Sequence, residues 1–229
     1  VKIKALKEGL KLNSDLNLIE SYDVSHHASK NAVAGCVSYT HKGKAPHLYR
    51  SYNISEVNWG NDIGSMIELI KRRFSEVDTK KLPSLVIIDG GKTHLKKVLS
   101  TFRDYNIGDI NVISISKGTR RKATFDTIHL PNGENIAINQ ASTFHQFVQE
   151  IRDETHRYAI SIQKRKMRKT SIKSSLDELS GIGAVRKKLL LRYFGSIEQI
   201  KRASINDLCE VSGIGKNIAK SIYREIHTQ

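Results

Sequence analysis

Residues 85–92, with the sequence LVIIDGGK, constrain the fold of this chain more than any other stretch. Four consecutive apolar residues run directly into Asp89 and two glycines. A short apolar run bounded by glycine is typical of a strand buried on both faces of a sheet. An aspartate is tolerated there only at the C-terminal end of the strand, where water or a metal ion can reach it. The stretch therefore predicts a central strand over residues 85–89 that carries Asp89 to the edge of a sheet.

A second stretch has the same ending. Residues 16–23 are predicted to form a first strand that ends on Asp23. Asp89 alone would more simply cap the helix that follows it, but two such aspartates can meet if their strands are neighbours. Adjacent carboxylates repel each other, and a divalent cation between them relieves that repulsion. Because the ligands are hard oxygens and include no cysteine, Mg²⁺ or Mn²⁺ is the expected cofactor.

Two further residues are candidates for the same site. Asp62 lies at the predicted start of a helix, where capping that helix and serving as a third acid are equally supported. His156 follows Arg152 by four positions on a predicted helix, so the two face the same way. A histidine beside two acids and a metal can orient or deprotonate a water molecule or bind the metal, although a lone histidine is more often structural.

The remaining patterns describe an α/β class with a mixed sheet and helices packed on it. Strands are predicted over residues 32–39, 47–54 and 112–116, and helices over residues 62–74, 93–105 and from about 142 to 166. Residues 119–138 are predicted to form a hairpin that turns at residues 131–133. Residues 1–15 form a polar, lysine-rich lead-in, either helical or loose.

The charge balance indicates a polyanionic partner. Lys and Arg number 38 against 23 Asp and Glu, for a formal net charge of +15. Basic groups gain free energy by displacing the counterions of nucleic acid, which makes nucleic acid the first candidate and an anionic membrane surface the second. Lys92, Lys117 and Arg152 are the expected DNA contacts near the acids, with solvated side chains as the alternative. Asp153 and Glu154 are either further ligands or salt-bridge partners.

Other features of composition concern the cellular setting. No apolar run is long enough to span a membrane, and the start lacks the apolar core of a signal peptide. Cys36 and Cys209 are too few and too far apart for a disulfide framework or a zinc site. A reduced, cytoplasmic protein is expected, and the abrupt start is typical of a piece of something longer.

The C-terminal part contains an internal repeat. After a basic, acid-free run at residues 164–173, predicted to be a linker, LSGIG at residues 179–183 returns as VSGIG at residues 211–215. Such turns between short helices are typical of helix-hairpin-helix motifs, whose backbone N–H groups face a phosphate. One copy is explained by a simple C-cap, but two in register favour DNA-backbone binding over a purely structural tandem. The expected contacts are Gly181, Gly183, Arg186, Lys187, Gly213, Gly215 and Lys216.

Taken in order, these motifs identify a family. They are YDVSH at residues 22–26, RSYNI at 50–54, IIDGGK at 87–92, SKG at 116–118, RDETHR at 152–157 and the tandem hairpins. From about residue 16 to its end, the chain resembles the C-terminal half of UvrC, the incision subunit of bacterial nucleotide excision repair. The resemblance implies a ribonuclease H-like endonuclease domain over residues 1–163, the linker, and a small all-α tandem helix-hairpin-helix domain over residues 174–229.

The resemblance also implies roles for individual residues. The family's catalytic Asp-Asp-His set falls on Asp23, Asp89 and His156, and a further functional acid corresponds to Asp62. The expected reaction is metal-dependent cleavage of the damaged DNA strand on the 5′ side of a lesion. UvrB is the expected partner in the full-length context. Its binding region, and a separate nuclease that makes the 3′ cut, are expected to lie outside this chain.

The chain departs from the family pattern at two places, and two rival functions stay open. Lys187 stands where the second hairpin has the small Ala219, so the hairpins are expected to contribute unequally. An Asn61-Asp62 pair replaces two acids, which leaves Asp62 as the matching acid. The rivals are a non-catalytic DNA-binding module, in which the sheet is only a scaffold, and an RNA-cleaving enzyme of the same fold.

Overall fold

The structure, a computed structural model, describes residues 1–27, 31–75, 82–108, 110–118, 126–138, 142–177 and 182–227. The chain divides into two compact units, Val1–Lys164 and Arg165–Gln229. Within the described ranges, no helix combines the length and the apolar character that a membrane crossing requires.

The first unit is a sheet with flanking helices. The helices are α1 (Lys2–Gly9), α2 (Asp62–Phe74), α3 (Lys92–Asp104) and α4 (Thr143–Asp177), the last of which continues past the unit's boundary. The strands are β1 (Leu18–His27), β2 (Asn31–Thr40), β3 (Gly43–Lys44), β4 (Arg50–Asn53), β5 (Leu85–Asp89), β6 (Asn111–Ser116), β7 (Thr127–His129) and β8 (Asn135–Ala137).

The strands form one mixed sheet in the order β3-β2-β1-β5-β6-β7-β8, and β4 pairs with β2 beside this path. β1 lies antiparallel to β2 and parallel to β5, which in turn lies parallel to β6. Parallel neighbours need crossover connections, and α3 supplies the one between β5 and β6. β5 is central, and its four apolar residues are buried, as a strand covered on both faces requires.

Side chains of the sheet alternate between two apolar cores. Ile19 and Ile87 pack on one face, together with Ile151 of α4. Tyr22 and Ile88 pack on the other face, where the partners come from α2 and α3, among them Leu69, Val98 and Phe102. Because successive residues of a strand point to opposite faces, the register decides which face each polar residue at the sheet's rim takes.

Several helices and strands begin and end in the structure at or near the residues that the sequence predicts. The helix over residues 62–74 and the strand over residues 85–89 are confirmed to the residue. The lead-in contains helix α1, whose Leu6 is fully buried in the first core. The predicted hairpin is present as β7 and β8 with its turn at residues 131–133, while residues 119–125 lie outside the described part of the chain.

Other boundaries need correction. β1 does not end on Asp23 but continues to His27, because β2 pairs with it along its whole length. The strand predicted over residues 47–54 is shortened to β4, since Pro46–Leu48 form a 3₁₀ turn. The pattern also gives no sign of β3. The basic run at residues 164–173, predicted to be a linker, is helical, because α4 continues through it to Asp177.

The second unit is all-helical. It contains α5 (Ala184–Phe194), α6 (Ile197–Arg202), α7 (Ile205–Cys209) and α8 (Lys216–His227). Gly195 ends α5 in the left-handed conformation, with φ of 78°, and Ser204 begins α7 with a capping box. Ile182 and Ile214, the central residues of the two repeated turns, are buried in the core of this unit. The repeat's isoleucines therefore hold the unit together, while Gly183, Gly213 and Gly215 lie at its surface.

A buried ion pair connects β1 to α2 in the first unit. Arg73 donates from Nε and Nη2 to the carboxylate of Glu20 at 3.0 and 2.9 Å, and the hydroxyl of Tyr22 donates to the same carboxylate. Glu20 is 2% exposed and Arg73 is 7% exposed, so water screens neither charge. Since Glu20 precedes Asp23 by three residues, this pair fixes the strand that carries the first aspartate.

Arg73→Met is expected to lower the free energy of unfolding of the first unit by about 3–5 kcal/mol, because it leaves the Glu20 carboxylate buried without its counter-charge. Urea denaturation followed by circular dichroism measures the loss. Arg72→Met is the matched control: Arg72 is exposed, and its change should cost less than about 1 kcal/mol. Equal effects of the two substitutions would show that the pair does not stabilise the fold.

Candidate active site

Parallel pairing of β1 and β5 brings Asp23 and Asp89 together. Tyr22 and Ile88 are Cα partners in this pairing, and each aspartate is the next residue on its strand. Tyr22 and Ile88 face the core against α2 and α3, so the aspartates that follow them face the side covered by α4. Register alone therefore places the two carboxylates side by side at the C-terminal rim of β5.

Helix α4 supplies the third group. The hydroxyls of Thr155 and Ser21 are hydrogen-bonded to each other at 2.8 Å, which holds α4 against β1. Gly35, the Cα partner of Asp23, permits this close packing, because a Cβ there would lie 3.2 Å from Ala159 Cα. The next residue after Thr155 is His156, whose Nδ1–H donates to Asp23 Oδ2 at 2.8 Å. One ligand atom from each of Asp23, Asp89 and His156 lies within 4.8 Å of the others.

The electrostatic balance of this cluster favours an added cation. Burial raises the pKa of Asp23, and the nearby charge of Asp89 raises it further, while the hydrogen bond from His156 opposes the shift. Asp23 is only 6% exposed, so its charged form lacks the hydration of a surface carboxylate. Two oxygen donors and one imidazole nitrogen suit a divalent cation such as Mg²⁺ or Mn²⁺. The donor set and the repulsion together fit the metal expected from the sequence.

Asp62 lines a cavity of about 280 Å³ that Asp23 and Asp89 also line. Asn61 is the residue that caps α2, by accepting from Gly64 N–H at 2.9 Å, so Asp62 is not needed as the cap. The carboxylate of Asp62 is 70% exposed and lies 2.8 Å from His26 Nε2. His26 Nδ1 accepts from Gly60 N–H at 3.4 Å, so the proton of the neutral ring sits on Nε2, the nitrogen nearest to Asp62.

Arg152 has a different environment from the DNA-contacting one expected from the sequence. Its Nη1 donates to Asp126 Oδ2 at 2.7 Å, and its Nε lies 3.6 Å from Asp89 Oδ1. Its side chain is 11% exposed, which leaves little surface for a nucleic acid to contact. The guanidinium is therefore held by Asp126 and lies as a positive charge near the carboxylate of Asp89.

The acids next to His156 do not join the cluster. Asp153 is exposed and accepts from the side-chain amide of Gln149 at 2.8 Å. Glu154 accepts from Arg157, Tyr49 and Lys44, and the hydrogen bond from Arg157 is the main reason that its pKa is lowered to about 2. Of the two alternatives for these residues, the structure supports salt-bridge and hydrogen-bond partners.

The remaining predicted contacts are distributed over both units. Lys92 begins α3 and is exposed, and Lys117 lines the cavity beside Ser116. In the second unit Gly183 precedes α5, Gly213 has φ of 84°, and Lys216 begins α8. Arg186 is exposed and Lys187 is half-buried on α5, whereas the corresponding Ala219 of α8 is fully buried. Gly181 lies outside the described residues.

Sequence reasoning overlooked three polar groups near the site. Asp126 precedes β7 and holds Arg152, and no pattern in the sequence connects these residues. Ser116 and His129 form a hydrogen bond next to the cavity, across the pairing of β6 with β7. Ser116 stands directly before Lys117 at the end of a predicted strand, and this position could have indicated that Ser116 lies near the site.

The fold and the site define a ribonuclease H-like nuclease domain followed by a tandem of helix-hairpin-helix motifs. The chain belongs to the family described as the UvrC RNAse H endonuclease domain, whose model matches residues 7–160. A second family model, described as the SAM-like helix-hairpin-helix tandem, matches residues 173–228.

Two curated relatives of this chain carry the same name. The UvrABC system protein C of Legionella pneumophila (strain Lens) is 34% identical over 228 residues, which cover 99% of this chain and 37% of that protein. The protein of the same name from Pseudomonas fluorescens (strain Pf0-1) is 34% identical over 231 residues, covering 100% of this chain and 38% of the relative. The chain thus spans a little over a third of the length of these relatives.

Solved structures give a weaker likeness. Human endonuclease V is 16% identical, with a TM-score of 0.32 over 47% of this chain and 51% of that one. The Ciona intestinalis endonuclease V in complex with an inosine-containing DNA is 15% identical, with a TM-score of 0.34 over 48% of this chain and 49% of the other.

Asp23→Asn is expected to raise the stability of the metal-free protein by about 1 kcal/mol and to remove its response to Mn²⁺. Because the pKa of Asp23 is raised, folding disfavours its charged form, and at neutral pH a neutral asparagine avoids that cost. Differential scanning calorimetry with and without Mn²⁺ measures both effects. Asp153→Asn, an exposed change on α4, is the control and should leave the Mn²⁺ response intact. A destabilised Asp23→Asn protein that still responds to Mn²⁺ would contradict this assignment.

Proposed function

We propose that this chain is a metal-dependent DNA endonuclease that makes the 5′ incision beside a lesion in bacterial nucleotide excision repair. The observation that carries the proposal is the convergence of Asp23, Asp89 and His156, with ligand atoms within 4.8 Å of one another, at the rim of a ribonuclease H-like sheet. Membership of the UvrC nuclease family supports the reaction, and the names of the similar proteins support the repair setting.

Asp23 and Asp89 are the residues that would hold Mg²⁺ or Mn²⁺. Bound there, such an ion would supply a Lewis acid that polarises the phosphodiester and activates water. The protein's own contribution is to hold two repelling carboxylates at a fixed separation before the ion arrives. Arg152 maintains the position of Asp89 through a charge that is in turn fixed by Asp126. Such preorganised electrostatics supply most of the rate in reactions whose charge develops on phosphate oxygens.

His156 is the proposed base or water-orienting group. Its Nδ1–H is donated to Asp23, so the lone pair of the neutral ring is on Nε2. Its side chain is about half exposed, at 49%, so water reaches the ring. A carboxylate that fixes the tautomer and orientation of an imidazole is the arrangement found in many acid–base sites. Asp62, held by His26, is the further acid, and Lys92 and Lys117 are positioned to bind the phosphates of the strand.

The helical unit is the proposed DNA-holding part. Gly183 and Gly215 accept the first hydrogen bonds of α5 and α8, from Lys187 N–H at 3.1 Å and from Ala219 N–H at 2.9 Å. The first N–H groups of a helix have no intrahelical acceptor, so each turn offers donors to a phosphate. Arg186, Lys187 and Lys216 add positive charge beside these turns. Within a longer protein, acting in the cytoplasm, UvrB is the proposed partner that recruits this segment to a lesion.

Asp89→Asn is expected to reduce Mn²⁺-dependent nicking of supercoiled DNA at least about 100-fold while changing DNA affinity less than about twofold. The carboxylate would act by holding the metal ion, whereas affinity comes mainly from basic groups that replace counterions. Plasmid nicking and fluorescence anisotropy, run on the same preparations, measure the two quantities.

Asp104→Asn, an exposed change at the end of α3, is the control for that experiment. Equal nicking by the wild type and by Asp89→Asn would show that the assigned site is wrong, and a wild type that binds DNA without Mn²⁺-dependent nicking would leave a non-catalytic DNA-binding module as the function. Faster cleavage of an RNA–DNA hybrid than of duplex DNA would instead favour the RNA-cleaving alternative.

Lys216→Ala is expected to weaken DNA binding similarly for all sequences and to reduce the slope of log K against log salt by about 1. Lys216 is the first residue of α8, beside the second glycine turn. Anisotropy titrations at several salt concentrations measure the slope. Lys220→Ala, one helical turn further along α8, should change it much less, and equal losses would exclude a specific phosphate contact at the turn.

A further inference from the structure

Three side chains form a hydrogen-bonded chain that ends in the active-site cavity. Ser116 Oγ lies 2.8 Å from His129 Nε2, and His129 Nδ1 lies 2.7 Å from Asn135 Oδ1. Ser116 lines the cavity that also contains Asp23, Asp62 and Asp89. His129 is 8% exposed, and Asn135 is exposed at the far end, on β8. None of the catalytic roles described above uses these residues.

The proton positions in this series of hydrogen bonds follow from Asn135, the residue at its exposed end. Asn135 Oδ1 can only accept, so His129 Nδ1 carries the hydrogen and donates it. In the neutral ring Nε2 is then an acceptor, and the hydroxyl of Ser116 donates to it. In this direction Ser116 turns its proton away from the cavity and offers only lone pairs to a ligand there.

Both hydrogen bonds of this series can also reverse their donors and acceptors without any change of charge. A side-chain amide has an acceptor at one end and a donor at the other, and an exposed asparagine can exchange them by rotating its terminal torsion. His129 would release its Nδ1 proton to solvent and take up one from solvent at Nε2, so the ring stays neutral. Asn135 Nδ2–H would then donate to His129 Nδ1, and His129 Nε2–H would donate to Ser116. The hydroxyl of Ser116 would be free to donate into the cavity. A carboxylate at position 135 would not allow this reversal, because it has no proton to donate.

A phosphate in this cavity needs hydrogen-bond donors. Three aspartates line it, and of the described lining residues only His94, Ser116 and Lys117 carry a side-chain donor. A phosphodiester oxygen accepts only, so it would favour the direction in which Ser116 donates. The Ser116 hydroxyl is the one donor of the three whose direction is set by neighbouring residues on the same sheet.

We propose that Ser116 donates a hydrogen bond to a backbone phosphate of the bound DNA strand, and that His129 and Asn135 are positioning residues that reverse their hydrogen bonds when DNA binds. This inference rests on the proposed function, because it takes the ligand of the cavity to be the DNA strand that is cut. It adds a substrate contact on the face of the sheet opposite to α4.

Kinetics of the full chain test the contact. Ser116→Ala is expected to lower kcat/KM for Mn²⁺-dependent nicking by about 10- to 100-fold, the effect of losing one hydrogen bond to a charged group. Ser116→Thr retains a hydroxyl and should recover most of the rate. The control is Ser114→Ala, which removes a hydroxyl two residues earlier on the same face of β6, where it donates to Gly91 O and does not line the cavity. Equal effects of Ser116→Ala and Ser114→Ala would overturn the contact.

The tautomer of His129 tests the reversal independently of cleavage. In ¹⁵N-labelled protein the imidazole shifts should report Nδ1–H without DNA and Nε2–H with a saturating duplex in Ca²⁺, and His129→Gln assigns the signals. Asn135→Asp should hold the ring as Nδ1–H and reduce DNA affinity and nicking as Ser116→Ala does. An unchanged tautomer in the DNA complex, or an Asn135→Asp protein with wild-type affinity, would overturn the proposal.

The two proposals can fail separately. If Asp89→Asn abolishes nicking but Ser116→Ala does not affect it, the endonuclease function stands and the Ser116 contact is wrong. If no variant changes nicking, the endonuclease proposal fails, and DNA affinity in Ca²⁺ with the His129 shifts still decides whether Ser116 contacts phosphate.

Discussion

The repulsion between Asp23 and Asp89 is the constraint around which the first unit is organised. Parallel pairing of β1 with β5 forces the two carboxylates together, and the burial of Asp23 removes much of the water that would screen its charge. A chain gains nothing in stability from this arrangement, as the raised pKa of Asp23 indicates. A site that costs folding free energy has to be held by interactions elsewhere, and it is most simply understood as a place made for a cation.

Those holding interactions surround the aspartates on both faces of the sheet. On one face Glu20 and Arg73 join β1 to α2, and on the other Thr155 joins α4 to Ser21 of β1. β1 is thus fixed from both sides within three residues of Asp23. The geometry of the site is a consequence of secondary structure and two polar anchors, which is why it can be precise without relying on loops.

The sequence predicted best what depends on local pattern. The bounds of α2 and β5 follow from residue periodicity, and the choice of Asp23, Asp89 and His156 follows from short motifs. Long-range pairing decided the rest. β1 extends beyond Asp23 because β2 accompanies it, and Arg152 meets Asp126, 26 residues earlier, through the packing of α4 on the sheet's end. No periodicity in one segment records which distant segment will pair with it.

The histidines at this rim show how neighbours fix proton positions. Asp23 accepts from His156 Nδ1, which leaves Nε2 as the basic nitrogen. A backbone N–H donates to His26 Nδ1, which places the proton of the neutral ring on Nε2, near Asp62. His129 differs, because its outer partner is an amide that can accept or donate. A carboxylate or a backbone N–H fixes a tautomer permanently, whereas an amide leaves two tautomers close in energy. The same sheet edge therefore combines two histidines whose tautomer is fixed by a neighbour, His156 and His26, with one, His129, whose proposed role depends on a change of tautomer.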